Sequence, residues 1–240
     1  MRKNLKRKLT GGIILAIAAF NLSGCGSNAQ RKKQAEKALE QKYQEKFEIT
    51  EYKDAGFMAD YYIVQAYADA YPDLLFQASV DIESGSIMDA YVSKRLCDRI
   101  SDKISQNIGT LTTDYYVFTE AMFENTLLED PMATLEEYMR ESPENEFVIY
   151  IFLDEAGTEK ENISKSLKNM LNEIPGLTGE AAFYRVNSEL IMNIQEYLTS
   201  HDGIYHDFEN MVSTFYVGFA EIENSCFFLR EDLLSKMAGD

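Results

Sequence analysis

The sequence predicts an α+β fold in which antiparallel or mixed sheets are flanked by helices, arranged as two small modules. Three observations lead there. Stretches that alternate apolar and polar residues, such as Phe76-Gln77-Ala78-Ser79-Val80-Asp81, are interleaved with stretches where apolar residues return every fourth position, as Val92, Leu96, Ile100 and Ile104 do. The apolar run from Phe147 to Leu153 is too short to cross a bilayer and too rich in β-forming side chains for a helix, so it reads as a strand buried on both faces. Finally, 45% hydrophobic content with 15 Tyr and 14 Phe supplies a core, while 4 Pro and 13 Gly exclude a collagen-like or Pro-rich stalk.

The elements follow in chain order. Ala35, Leu39, Tyr43 and Phe47 give one apolar residue per turn and predict a helix over 31–47. Tyr-, Ile- and Val-rich segments at 48–54 and 61–68, and the alternating segment 76–81, predict strands of a sheet with one wet face. After a turn at Ile82-Glu83-Ser84-Gly85, the stripe Met88, Val92, Leu96, Ile100 and Ile104 predicts a helix over 86–108 that Gly109 stops. Residues 35–110 thus form an α-β-β-β-α module.

The second module, 111–240, is expected as an α/β-type sandwich. Its elements are a strand over 114–123, then a short helix starting at Pro131, with Leu135, Tyr138 and Met139 on one side and Pro143 at its end. The strand 147–153 follows, then a helix carrying Ile163, Leu167, Met170, Leu171 and Ile174. A strand at 181–186, a helix at 188–199, a long strand near 208–222 and a terminal helix near 228–237 complete it. One sheet continuous through both halves is the alternative arrangement.

The N-terminus carries a different kind of signal. Five cations in the first eight residues, with no acid before Glu36, precede the apolar run Ile13 to Phe20 and then Leu22-Ser23-Gly24-Cys25. That order is a secretory signal, and its apolar run is shorter than the roughly 20 residues a permanent span requires. Leu22-Ser23-Gly24-Cys25 resembles the lipobox of bacterial lipoproteins. The resemblance implies that residues 1–24 are removed, that Cys25 carries a diacylglycerol, and that the mature chain is a lipid-anchored protein of the cell membrane on its extracytoplasmic face. Each buried methylene adds about 0.8 kcal/mol and two chains hold a protein stably. Residues 25–34 are then expected as a polar, basic tether, with Arg31, Lys32 and Lys33 beside the headgroups.

The leader holds five of the 23 basic residues and none of the 40 acidic ones, so maturation takes the net charge from −17 to −22. Such a body repels phosphate backbones, which excludes nucleic acid as the expected partner. Beyond Cys25 the cysteines are Cys97 and Cys226, for which one long-range disulfide and two buried thiols are both open readings.

No residue is assigned a catalytic, cofactor-binding or metal-binding role, and no cofactor is expected. The sequence has no Gly-x-Ser-x-Gly, Ser-x-x-Lys or glycine-rich phosphate loop, and its two histidines leave little for a catalytic triad. His201, Asp202, His206, Asp207 and Glu209 lie close enough in sequence to ligate a metal, yet Asp202-Gly203 is an ordinary turn signal and a polar loop is the expected reading. The acids of 154–161, and Glu129, Asp130, Glu136 and Glu137, sit where helix N-termini are expected and suit capping. Tyr62, Tyr115, Tyr116, Tyr150, Tyr184 and Tyr216 fall within periodic elements and are expected in the core or half-buried at its edge. The function expected is therefore a non-enzymatic binding or accessory module of the envelope, facing another envelope protein or an extracellular ligand. The alternatives are a solute-binding lipoprotein of an importer and a cell-envelope hydrolase.

Overall fold

The computed structural model describes residues 28–56, 59–109, 114–122, 128–143, 145–154, 165, 169, 174, 176–200, 216–223 and 226–228. Over these residues the α+β class and the two sheet-based modules are present. The first sheet is an antiparallel meander of β1 (Phe47–Asp54), β2 (Tyr61–Ala68), β3 (Tyr71–Asp81) and β4 (Ile87–Asp89). Helix α1 (Asn28–Tyr43) covers its apolar face through Ala35, Leu39 and Tyr43. Period two sets which side chains meet it: Tyr62, Val64, Ala66 and Ala68 on β2, and Phe76, Ala78 and Val80 on β3, all point into this core.

Helix α1 starts three residues earlier than its apolar spacing suggested, so 28–34, expected as tether, are its first turns. It also stops sooner. Gln44 adopts a left-handed φ of 58° and returns its N–H to the Glu40 carbonyl, an end that costs about 1 kcal/mol for a residue with a Cβ. The turn releases Phe47 from the helix but leaves it inward. Its ring meets Tyr91 at 5.1 Å and Phe76 at 5.9 Å, edge on, within a cluster that also holds Tyr43.

Helix α2 (Tyr91–Ile108) begins five residues later than expected. Ile87 to Asp89 instead pair with β3, and Met88 faces solvent rather than the helical stripe. Asp89, one residue before the N-cap Ala90, accepts the Tyr91 N–H at 3.1 Å with its buried carboxylate and so satisfies one of the free donors of the first turn. Along its length α2 changes partners. Tyr91 and Val92 belong to the first core, whereas Leu96, Cys97, Ile100, Ile104 and Ile108 pack into the second, along β5 (Tyr115–Ala121).

The second sheet has the order β5, β6 (Phe147–Asp154), β7 (Gly179–Val186), β8 (Tyr216–Glu223) and β9 (Cys226–Phe228), with only the β6 to β7 pair parallel. Strand β6 is fully buried on one face, while on the other Phe152 is buried and Val148 and Tyr150 are only half-covered, so the burial on both faces that its composition predicted holds in part. Phe147, Ile149, Ile151 and Leu153 enter the core beneath α2 and α3 (Leu135–Glu141), and Phe152 enters a separate core beneath α4 (Ser188–Ser200). Helix α3 starts after Thr134, not at Pro131, because Thr134 and Glu137 form a capping box: the Thr134 hydroxyl accepts the Glu137 N–H and the Glu137 carboxylate accepts the Thr134 N–H at 2.8 Å. Of the helix expected around 163–174, only Lys165, Asn169 and Ile174 are described, and 208–215 and 229–237 lie outside the described residues. Phe228 ends β9 and does not open a helix.

Strand order also bears on the cysteines. Cys97 lies buried on the helix that runs along β5, outside any disulfide, and Cys226 opens β9 at the opposite edge of the sheet, four strand spacings or about 19 Å from β5. A disulfide needs Cα atoms within roughly 7 Å, so a bridge between these two does not fit the sheet.

Burial raises the phenols of Tyr43 and Tyr91 well above their ordinary value of 10.0, and raises Tyr62 and Tyr116 to about 12. The unfolded chain releases these protons near pH 10.0 while the folded chain keeps them, so the stability they confer is full below that pH and is lost as pH rises toward 12. An alkaline titration is expected to show tyrosinate absorbance lagging behind that of free tyrosine, then rising together with loss of circular dichroism. Full ionisation near pH 10 with the fold intact would contradict these burials.

Candidate functional site: a buried polar node and an open sheet face

Where α1, β4 and α2 meet, polar groups are built into the first core. Asp89, 2% exposed, accepts from Lys42 Nζ at 2.8 Å, from the Tyr43 hydroxyl at 2.7 Å and from the Tyr91 N–H. The Tyr91 hydroxyl donates to Glu45 at 2.7 Å and accepts from Arg95 at 3.1 Å. Arg95 is itself buried, its guanidinium 3.5 Å from the centroid of the Tyr71 ring, and one turn on Arg99 donates to the Ala133 carbonyl. Burial, together with neighbouring Arg95, pulls the Arg99 guanidinium below its usual value, and burial raises the Asp98 carboxyl. Every Asp89 contact falls within the first module, on α1 or at the start of α2, and the reach into residues beyond 110 is made by Arg95 to the Met132 sulfur at 3.7 Å and by Arg99 to the Ala133 carbonyl.

The second site lies on the α4 side of the second sheet. Register places Phe118, Tyr150, Ala182 and Phe219 in one row across β5 to β8, and Glu120, Val148, Glu180 and Glu221 in the next. Helix α4 seals the opposite end of this face, over Phe152, Tyr184 and Val186. The row of Phe118, Tyr150 and Ala182 is only half covered, and Phe219 is 47% exposed. Glu180 and Glu221 stand exposed and directly opposite one another on antiparallel strands. Like charges in that relation oppose strand pairing, and no Lys or Arg occupies these eight positions. Tyr216, expected in the core or half-buried, is also 47% exposed and meets Tyr184 at 5.5 Å. It sits at the β7 to β8 irregularity, where the register slips.

The residues singled out from sequence divide as follows. Cys25 and the 201–209 segment lie outside the described residues, as do 155–161. Glu137 serves as expected, accepting the Thr134 N–H, and the Thr134 bonds hold its carboxyl below its usual value, whereas Asp130 accepts the Met132 N–H in the turn that precedes the helix and does not cap it. Among the described residues no group of three or more His, Cys, Asp or Glu is placed to hold a metal ion, and no helix is long and apolar enough to cross a membrane. The Arg31 guanidinium lies over the Tyr62 ring at 5.0 Å and Lys32 Nζ donates to the Thr50 carbonyl at 2.5 Å, which leaves Lys33 as the exposed cation of the three. The open face was missed because residues 118, 150, 182 and 219 become neighbours only through strand register.

No family model and no curated protein matches this sequence. Among solved structures, the fold is similar to the crystal structure of a DUF5037 family protein from Ruminococcus gnavus, with a TM-score of 0.67 and 13% sequence identity over 87% of this chain and 99% of that one. At that identity the likeness is one of fold, and its extent takes in both modules.

Proposed function

We propose that this chain is a lipid-anchored extracytoplasmic lipoprotein of the cell membrane that acts as a non-enzymatic binding or accessory module of the envelope. The observation that carries this reading is the leader, in which a cation cluster, an apolar run and Leu22-Ser23-Gly24-Cys25 coincide at one spacing. The open face supports the binding part. Aromatic rings edged by Glu120, Glu180 and Glu221 suit a partner segment that brings Lys or Arg, whose aliphatic stems lie on rings while their charges meet carboxylates.

One preparation tests both parts. Wild-type cells fed labelled palmitate are expected to yield a labelled protein in the membrane fraction, and Cys25→Ser an unlabelled protein that retains its leader. The purified body is expected to bind an oligolysine peptide in a salt-sensitive manner, and Glu180→Lys/Glu221→Lys to abolish that binding. Absence of label in the wild type would remove the anchor. Peptide binding unchanged by the double substitution would remove the face.

A further inference from the structure

We infer that one end of the first sheet, made of the start of β2 and the β3–β4 turn, lies against the lipid surface and sets the orientation of the whole molecule. The inference rests on the lipid anchor at Cys25 proposed above. Helix α1 begins at Asn28, three residues beyond Cys25, so fully extended chain allows only about 11 Å between the lipidated sulfur's residue and the folded body. That is less than the thickness of a headgroup layer plus one helix, and a body so tied has little freedom to turn.

The point of attachment is also fixed to the sheet. The Arg31 carbonyl accepts the Tyr62 hydroxyl at 3.1 Å, Lys32 Nζ bonds the Thr50 carbonyl, and the Gln34 side chain abuts Gly85 closely enough that a Cβ there would lie 2.8 Å from its Nε2. These contacts place the α1 N-terminus beside the start of β2 and the β3–β4 turn, which are themselves joined by the Ile82 N–H to the carbonyl of Asp60, just before β2, at 2.7 Å. Tyr61 and Ile82, 40% and 41% exposed, stand at this end. An apolar tip and an amphipathic ring are side chains that suit the headgroup boundary. Asp54, Asp60, Asp81 and Glu83 share the same end, and Asp81 is kept charged by the Ser84 hydroxyl and N–H and by the Glu83 N–H. The contact is therefore shallow, with the acids in the headgroup layer and not below it.

Strand β4 and then the start of α2 run away from the β3–β4 turn, and Arg95 on α2 reaches Tyr71 beside the β2–β3 turn at the far end of the sheet. From there α2 runs along β5 of the second sheet, its 18 residues spanning about 27 Å along their own axis.

The chain contains no tryptophan, so a single introduced one reports its own surroundings. Full-length lipidated protein carrying Ile82→Trp, or Ala70→Trp in the β2–β3 turn, is reconstituted into phosphatidylglycerol and phosphatidylcholine vesicles with brominated acyl chains. Emission of Ile82→Trp is expected to shift to the blue and to be quenched, while Ala70→Trp keeps the emission it has without vesicles. Equal behaviour at the two positions, quenched or not, in protein that still floats with the vesicles would overturn the orientation and leave the anchor standing. Failure of the wild-type protein to float would remove the anchor, and the orientation with it.

Discussion

Replacing Asp89 with Ala is expected to lower the unfolding free energy by about 3 kcal/mol, the low end of the range for breaking a buried ion pair from one side. The substitution deletes the acceptor of three donors at once: Lys42 Nζ, the Tyr43 hydroxyl and the Tyr91 N–H that starts α2. The Lys42 side chain is 13% exposed and its ammonium lies 5.0 Å from the Tyr43 ring centroid, so water reaches it only partly once its counter-ion is gone. A loss of that size corresponds to a melting temperature lower by roughly 6–12 °C in a domain of this length. Urea unfolding followed by circular dichroism measures it. Asp89→Asn tests the charge separately, because its oxygen still accepts from Tyr43 and Tyr91 while its amide turns a donor toward Lys42. Adding Lys42→Met to Asp89→Asn is expected to recover part of the loss, the coupling that identifies a pair. A loss under about 1 kcal/mol for Asp89→Ala would mean that the node behaves as a surface ion pair.

Why Asp89 escapes a reading of the sequence is instructive. Met88, Val92, Leu96 and Ile100 keep a helical spacing, and a carboxylate beside that stripe looks like one more solvated acid. Its burial is decided by Lys42 and Tyr43, which lie 47 and 46 residues earlier. Features that depend on near neighbours were legible: inward alternation along β2, β6 as an apolar central strand, and the acidic capping of α3 by Glu137. Features that depend on register were not. Glu180 and Glu221 are ordinary exposed acids until β7 and β8 set them side by side, and α2 passes from one core to the other with no break in its stripe. Periodicity states that a face is apolar; it does not state which sheet will cover it.

Gly179 is where register makes the most severe demand. It opens β7 beside the start of β6, with a φ of 146°, and a Cβ there would lie 1.9 Å from the Phe147 carbonyl oxygen and 2.6 Å from its nitrogen. Both obstacles are backbone, so no rotamer change relieves them. To accept Ala, β6 must move away at its first residue, which strains the Phe147 N–H bond to the Thr178 carbonyl at 2.9 Å and pulls a fully buried ring from its contact with Tyr138. Gly179→Ala is therefore expected to cost more than about 4 kcal/mol, the range reserved for gross packing and backbone conflicts. Gly176→Ala supplies the comparison, since Gly176 also has a positive φ, 85°, but nothing within 4 Å of its Cβ position. That variant should lose only the backbone term of about 1–2 kcal/mol. Urea midpoints for the two proteins separate the explanations. Similar small losses would show that β6 and β7 do not approach this closely, whereas a collapse confined to Gly179→Ala locates the conflict in the parallel pair that holds the second sheet together.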